Sequence, residues 1–278
     1  MVNGPCGVSR RINAERILLV AWLRAILLQL AHPLIAAGVA GHSTFRGSAR
    51  AALARLHQTV GAMLAISFGT AAERQSAIDG IAAIHRRVHG TLPSACGPFA
   101  AGTRYSAEDP ALLLWVHATL LESVLLAYEQ FVAPLTPAER DEYCADSADV
   151  AIALGAHGDA VPRTWNALCA LLERGYASGD IVVGDQARAL GASLVTPFGS
   201  GIGRRVVTAM VSLLAAGQLP PSLRSQYGFM WSPARERRFK RLVALCRFTR
   251  RWLPRRLAWW KVAWSTDCYP HGYAAAAR

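Results

Sequence analysis

Charged residues are scarce in this sequence. Of its 278 residues only 17% are charged, whereas 53% are apolar. A disordered chain needs low hydrophobicity and high net charge, so this composition excludes disorder for most of the length. The chain is long enough to bury a sizeable core.

Closely spaced cysteines are also absent, which excludes a zinc ribbon and a disulfide framework. The six cysteines are scattered along the chain, at Cys6, Cys96, Cys144, Cys169, Cys246 and Cys268. They fit single thiols in a reducing compartment. Because the arginine-rich start leads into an apolar run without a small-residue cleavage site, no secretory signal is indicated, and we expect a cytoplasmic protein.

The signatures of several large enzyme classes are missing. The sequence has neither the HExxH of metalloproteases nor the Glu-x-x-His pairs of di-iron bundles. It also lacks the Gly-x-Ser-x-Gly elbow of hydrolases, a GxGxxG motif after a strand, and a Walker lysine. Hydrolase, dinucleotide-dependent and nucleoside-triphosphate chemistry are therefore not indicated.

The longest apolar run, Ile17 to Gly41, contains polar and helix-breaking residues. Arg24, Gln29, His32 and Pro33 all lie within it. Such residues are expensive in lipid, so the pattern favours a buried helix that breaks at Pro33 over a membrane span.

Strand-like alternation is absent too, and helical periodicity predominates. The sequence predicts an all-α fold, a single globular domain of about ten helices with globin-like packing. We expect a flexible N-terminus over residues 1–12, the helical domain over 13–264, and a flexible C-terminus over 265–278. The last part of the domain, 233–264, reads as a basic, tryptophan-rich helical tail.

Local signals place individual helices. The first is predicted over residues 14–31. Capping boxes at Thr70/Glu73 and Thr136/Glu139 each begin a helix. The helix that starts at Thr70 is predicted to end at Gly90, with a loop over 92–104 rich in Pro, Gly and Ser.

One apolar helix, between Tyr105 and Tyr128, carries a histidine in its middle. Asp109 is the expected N-cap, and Pro110 occupies the first helical position. The leucines one turn away place His117 on an apolar face. Two interpretations remain open: a core histidine bonded to a carbonyl, or the axial ligand of a buried haem.

A second stretch, Ile84 to Thr91, combines basic residues with a hydroxyl. Arg87 and Thr91 are predicted to bracket a helix C-terminus. Beside a haem such a pair suits holding a propionate or steadying dioxygen; without one it serves as a dipole partner and a cap. His85 and His89 are four residues apart and share a helix face, which also suits a metal chelate.

Three sequence motifs, in this order and spacing, resemble an oxygenase family. They are QLAHPLIAAGVAGHSTF (29–45), IHRRVHGTLP (84–93) and YSAEDPALLLWVHATLLES (105–123). The family includes the mpaB-type prenyl-chain oxygenases and, more distantly, latex clearing protein. The resemblance implies a helical domain around a pocket for haem b, with oxidative chemistry on isoprenoid chains.

Carried over by motif, His117 matches the haem iron's proximal ligand. Arg87 and Thr91 match the pair on the other side of the haem and are the expected catalytic residues. The rubber-cleaving enzyme has a lysine just before that threonine, where this chain has Gly90. The resemblance therefore implies distal chemistry without a lysine ligand.

Other histidines belong to the same motifs. His32, His42 and His85 are candidate cofactor-binding residues, although structural hydrogen bonds between helices explain them equally well.

Positive charge is concentrated near the C-terminus. The whole chain carries +12, and the stretch from Arg235 to Lys261 contains eleven lysines or arginines against one acid. Interleaved aromatic residues make 235–264 suit an anionic membrane surface; the alternative is a solvated helix whose apolar stripe packs on the body. No specific nucleic-acid partner is expected.

The resemblance implies a haem b-dependent oxygenase that acts with dioxygen on a hydrophobic, isoprenoid-like substrate, and the basic tail favours a place peripheral to the inner face of the membrane. Two alternatives remain: a non-catalytic haem sensor or carrier, and a cofactor-free helical protein that binds a lipid or a partner.

Overall fold

The computed structural model describes residues 7–42, 49–196 and 201–265, and within these ranges the fold is almost entirely helical. The thirteen helices are α1 Val8–Asn13, α2 Leu19–Leu30, α3 Pro33–His42, α4 Ala49–Phe68, α5 Ala71–His85, α6 Pro110–Phe131, α7 Pro137–Ala153, α8 Trp165–Ala177, α9 Asp185–Val195, α10 Gly201–Gln218, α11 Pro221–Gln226, α12 Pro233–Trp252 and α13 Arg255–Ala258. Two short strands, β1 His89–Thr91 and β2 Arg104–Ser106, form an antiparallel pair. The prediction of a single all-α domain is confirmed.

The helix starts follow the capping residues in the sequence. Both predicted capping boxes are present, at Thr70/Glu73 and at Thr136/Glu139. The Asp109 carboxylate accepts the Ala111 N–H at 2.8 Å and begins α6. Caps are visible in sequence because they satisfy orphan N–H groups within one turn.

Helix α6 lies at the centre of the core. Twelve of its 22 residues are buried, and α2 packs along it, with the Trp115 indole N–H donating to the Leu28 carbonyl at 3.3 Å. By length and composition α6 is the one described helix able to cross a membrane, but a buried core helix passes the same test. Helices α2 and α3 meet at an angle of 107°, at the break predicted at Pro33.

A buried arginine ties three helices together inside this core. Arg24 of α2 is 3% exposed. Its guanidinium pairs with Glu122 at 2.9 Å, donates to Ser123 Oγ at 2.7 Å, and donates to the Gln218 carbonyl at 2.9 Å. A buried cation is tolerated only when paired and hydrogen-bonded, so these contacts fix α2, α6 and α10 relative to one another.

The basic C-terminal region is joined to the body. The Phe239 ring of α12 lies so close to Gly217 of α10 that a Cβ there would sit 2.3 Å from it. The buried Glu15 carboxylate accepts from Arg250 Nε at 2.8 Å and from the Trp259 indole at 2.9 Å. These contacts link α12 and α13 to the start of the chain.

The N-terminal prediction needs correction. The helix predicted over 14–31 begins at Leu19, after a 3-10 turn at Arg16–Leu18. Residues 8–12, expected within the flexible N-terminus, lie in α1 Val8–Asn13, where Ile12 is fully buried and Ser9 Oγ donates to Asp146 at 2.8 Å. The chain leaves helical geometry at Glu15, which pairs with Trp259 in an isolated bridge. The break therefore serves a long-range contact that the local sequence does not reveal.

We expect Glu15→Ala to lower the free energy of unfolding by about 3 kcal/mol, because Arg250 and Trp259 lose their buried acceptor. Urea unfolding followed by circular dichroism measures this. Asp149→Ala is the control: it breaks an exposed ion pair with Arg163 and should cost less than about 1 kcal/mol. Equal costs in the two variants would contradict a locking role for Glu15.

Candidate functional site

The three sequence motifs singled out above meet at one end of the molecule. Leu34 and Ala37 of α3, Leu92 after β1, and Leu112 of α6 form one apolar cluster, with Tyr105 packed against it. The Ala107 N–H donates to the Val88 carbonyl at 2.8 Å, so β2 is held against the end of α5. The candidate site is therefore assembled from segments far apart in sequence.

The segment that carries Arg87 and Thr91 does not have the predicted helical form. Helix α5 ends at His85 rather than at Gly90, and Arg87 lies in the turn that follows. Thr91 is the last residue of β1, opposite Arg104. Arg87 and Thr91 are both exposed. The prediction of a helix to Gly90 was wrong because pairing with β2 overrides the local signal.

Gly90 is a glycine for a packing reason. A Cβ added there would lie 2.7 Å from Tyr105 Oη and 3.0 Å from Tyr105 Cζ. Two glycines of α3, Gly38 and Gly41, also lie against the Tyr105 side chain. Only a glycine fits opposite this ring without displacement. Tyr105 therefore occupies the space into which a side chain at position 90 would extend.

His117 lies seven residues into α6, about 10 Å along the helix from Pro110. Its Nε2 is buried and has no hydrogen-bond partner among the described residues. Burial lowers the pKa of His117 from 6.5 to about 4. The ring is therefore neutral at physiological pH, with a buried nitrogen to offer a ligand.

His85, at the end of α5, has a similar environment. Its Nδ1 is buried and lacks a partner within the described part of the chain. Burial lowers its pKa, which Glu108 opposes. Glu108 precedes α6, so His85 lies near the start of the helix that carries His117.

His32 and His42 have local roles. The buried His32 accepts the Leu34 N–H on Nδ1 at 3.3 Å and packs against Phe99. His42 donates from Nδ1 to the Gly38 carbonyl at 3.2 Å, and its ring meets Tyr105 edge-on. Hydrogen bonds within α3 and at its start therefore account for one nitrogen of each ring.

The predicted site residues are only partly joined by direct contacts. Among the described residues, no hydrogen bond or ring contact links His117 to Arg87, Thr91 or another histidine, and no group of three or more His, Cys, Asp or Glu residues suited to a metal ion is found. A haem needs only one protein ligand, so the buried nitrogen of His117 is compatible with one.

An apolar groove runs between α4 and α5 toward this end. Its volume is about 570 Å³, within the range of small-molecule sites. Small residues of both helices form its floor, and Ile81 and Ile84 line the end nearest His85. Ile84 is 59% exposed, which is unusual for a large apolar side chain. A second cavity of about 430 Å³ lies beside Cys96 and the start of α9 and is more polar.

Sequence reasoning missed three parts of this site. The contact between Tyr105 and Gly90 joins residues fifteen apart through a strand pair that the sequence did not predict. The buried nitrogen of His85 depends on Glu108 and α6 lying nearby. The groove has a weak signal, since Gly61 of α4 and Gly80 of α5 are helical glycines with open space beside their Cα atoms.

Comparison with known proteins gives consistent matches. Residues 9–248 match the sequence profile of a family described as "ER-bound oxygenase mpaB/B′/Rubber oxygenase, catalytic domain". Uncharacterized proteins of Mycobacterium bovis and Mycobacterium tuberculosis are each 27% identical over 238 residues, which is 84% of this chain and 89% of theirs. No solved structure matches.

The neutral state of His117 predicts a pH dependence of stability. The unfolded chain gains a proton on this residue near pH 6.5, and the native ring only near pH 4. The stabilisation is complete above pH 6.5 and is lost as the pH falls toward 4. Between about pH 7 and pH 5 the loss from His117 alone is about 2 kcal/mol.

Urea unfolding of the unaltered protein, without added haem, and of His117→Leu, each at pH 7 and at pH 5, measures that loss of unfolding free energy. The pKa values of His32 and His85 are also lowered by burial, and both proteins share their contribution. The contribution of His117 is therefore the difference between the two proteins in how far the free energy of unfolding falls from pH 7 to pH 5. An equal fall in both proteins would show that the His117 ring is not buried in the native state.

Proposed function

The chain belongs to the mpaB/B′ and rubber oxygenase catalytic-domain family, and from that premise we propose that it is a haem b-dependent oxygenase in which His117 would hold the iron. Membership supports oxygenase activity in general. The haem and the isoprenoid-like substrate are the finer parts of the proposal.

The buried, unpartnered Nε2 of His117 carries the haem assignment. A buried polar atom without a hydrogen bond is costly, by about 1–3 kcal/mol, unless something else bonds to it. Burial also keeps the ring neutral, which is the form that ligates iron. The structural alternative, a core histidine bonded to a carbonyl, would need a partner for this nitrogen, and none of the described residues provides one.

When bound, haem b would supply the iron centre at which dioxygen oxidises an unsaturated carbon chain. The chain's own residues have supporting tasks. His117 would hold the iron from α6, and the leucines around it would keep water from that face. Arg87, a permanent cation, and Thr91, a hydroxyl donor, are the proposed catalytic pair, which would steady bound dioxygen or a propionate. Position 90 is a glycine and contributes no side chain, and the Tyr105 ring occupies the space beside it.

The groove between α4 and α5 is the proposed site for an apolar substrate chain. Its walls are alanine, glycine and isoleucine, and Gln58 and Glu73 stand among its few polar residues. Ile84, which lines one end of the groove, directly precedes His85 in α5. A linear hydrocarbon chain fits such a lining because it has no polar groups that need hydrogen-bond partners.

Purified protein, reconstituted with haemin, is expected to show a Soret band that His117→Ala abolishes. Arg87→Leu and Thr91→Val should keep the band, because neither residue is the proposed ligand, while dioxygen-dependent turnover of short polyprenols falls at least about tenfold. Absorption spectra and product analysis measure the two properties.

His89→Ala, in an exposed residue of β1, is the matched control and should retain both the band and the activity. A full Soret band in His117→Ala would remove the ligand assignment. A haem-loaded protein without turnover of any polyprenol would favour a sensor or carrier. A protein that takes up no haem would favour a cofactor-free binding protein.

Filling the groove should impair substrate binding without disturbing the fold. Gly80→Leu and Gly61→Leu add side chains where a Cβ meets nothing within 4 Å. We expect the KM for a polyprenol to rise about tenfold or more, and a fluorescent polyene probe to bind correspondingly more weakly, while the Soret band stays unchanged. Gly203→Leu, an equally unobstructed helical glycine in α10, is the control. An unchanged KM in both groove variants would place the substrate elsewhere.

A further inference from the structure

Helix α12 carries two apolar stripes on opposite sides. At 100° per residue, Phe239, Val243 and Cys246 point to one side and Leu245, Phe248 and Trp252 to the other. The first stripe packs on the body, where Phe239 is 6% exposed and Val243 and Cys246 touch the main core. One apolar stripe is enough to hold a helix on a protein, so the second needs another explanation.

The second stripe faces solvent. Leu245 is 58% exposed, Phe248 59% and Trp252 74%. The exposed apolar surface continues after the helix through Leu253 at 40% and Leu257 at 60%. Single exposed apolar residues are ordinary, but a run of large ones at helical spacing marks an interaction surface. We call Leu245, Phe248 and Trp252 the outer stripe.

Arginines flank the outer stripe and are available for binding. Arg237, Arg238, Arg241 and Arg251 are exposed and project from the same half of the helix or its edge. In the described ranges none of the four forms an ion pair. By contrast, Arg250, on the inner side, is paired with Glu15. The positive charge of these four arginines is therefore not neutralised by a carboxylate in the described ranges and can attract an external anion.

We propose that the outer stripe and its flanking arginines form a docking surface for an anionic lipid bilayer. Apolar side chains of such a helix enter the boundary between headgroups and acyl chains, and cations beside them meet the lipid phosphates. Trp252 suits this boundary because its ring is amphipathic. A nucleic acid would use the arginines but leaves the exposed leucine and phenylalanine unexplained.

This surface is independent of the proposed haem site, since it involves none of the residues assigned there. It would place the enzyme where apolar chains dissolve. The region that carries it cannot be removed as a tail, because Phe239 and Arg250 hold α12 to the body. The test therefore uses the full chain.

Cosedimentation with phosphatidylcholine vesicles that contain phosphatidylglycerol measures docking. We expect Phe248→Ser/Trp252→Ser to weaken partitioning at least about tenfold. Arg241→Gln/Arg251→Gln should weaken it by a similar factor, as should replacing the vesicles with pure phosphatidylcholine. Circular dichroism and the Soret band of each variant should match those of the unaltered protein, because the changed side chains are exposed.

Two control variants sit on another exposed helix. Ile202→Ser/Val206→Ser and Arg204→Gln/Arg205→Gln alter α10, which also exposes apolar residues at helical spacing beside arginines and is therefore the competing surface. Both pairs should bind vesicles normally if α12 is the docking surface. Equal losses in the control pairs would overturn the assignment to α12. Normal vesicle binding by Phe248→Ser/Trp252→Ser, together with tight duplex DNA binding lost in Arg241→Gln/Arg251→Gln, would overturn the membrane in favour of nucleic acid.

Discussion

Helix α6 is apolar on nearly every side, and the rest of the protein is arranged to cover it. Burying such a helix gains free energy only if every polar group on it finds a partner. Thr119 and Ser123 meet this demand by donating to carbonyls one turn back, and Glu122 pairs with Arg24. Two buried atoms of α6 have no partner among the described residues, the Gln130 side-chain oxygen and His117 Nε2, and a bound group would satisfy the histidine. The packing of the core helix therefore supports the haem proposal by leaving this nitrogen available to a ligand.

Much of the helical architecture could be predicted because the signals are local. The Thr70/Glu73 box, the Thr136/Glu139 box and the Asp109 cap each act within a single turn, and the three helices that they start begin at the expected places. The break at Glu15 and the strand pair at Gly90 could not be predicted. In both cases a partner distant in sequence competes with a local helical preference and wins.

The distinction between local signals and long-range contacts also applies to the candidate site and to α12. The identity of His117 as a candidate came from the sequence, but its unpartnered Nε2 depends on the helices around it. The aromatic and basic residues of α12 were visible, whereas their division into a packed and an exposed side required the position of the body. The sequence left a membrane-facing helix and a packed helix as alternatives; α12 combines a packed stripe with an exposed one.

The contact between Gly90 and Tyr105 has a consequence for how this protein can change over time. A side chain at position 90 and the Tyr105 ring in its present place exclude each other, since a Cβ at Gly90 would lie 2.7 Å from Tyr105 Oη. Any larger residue at position 90 requires the ring to shift or a smaller residue to replace it. The two positions are therefore coupled, and a change at one is felt at the other.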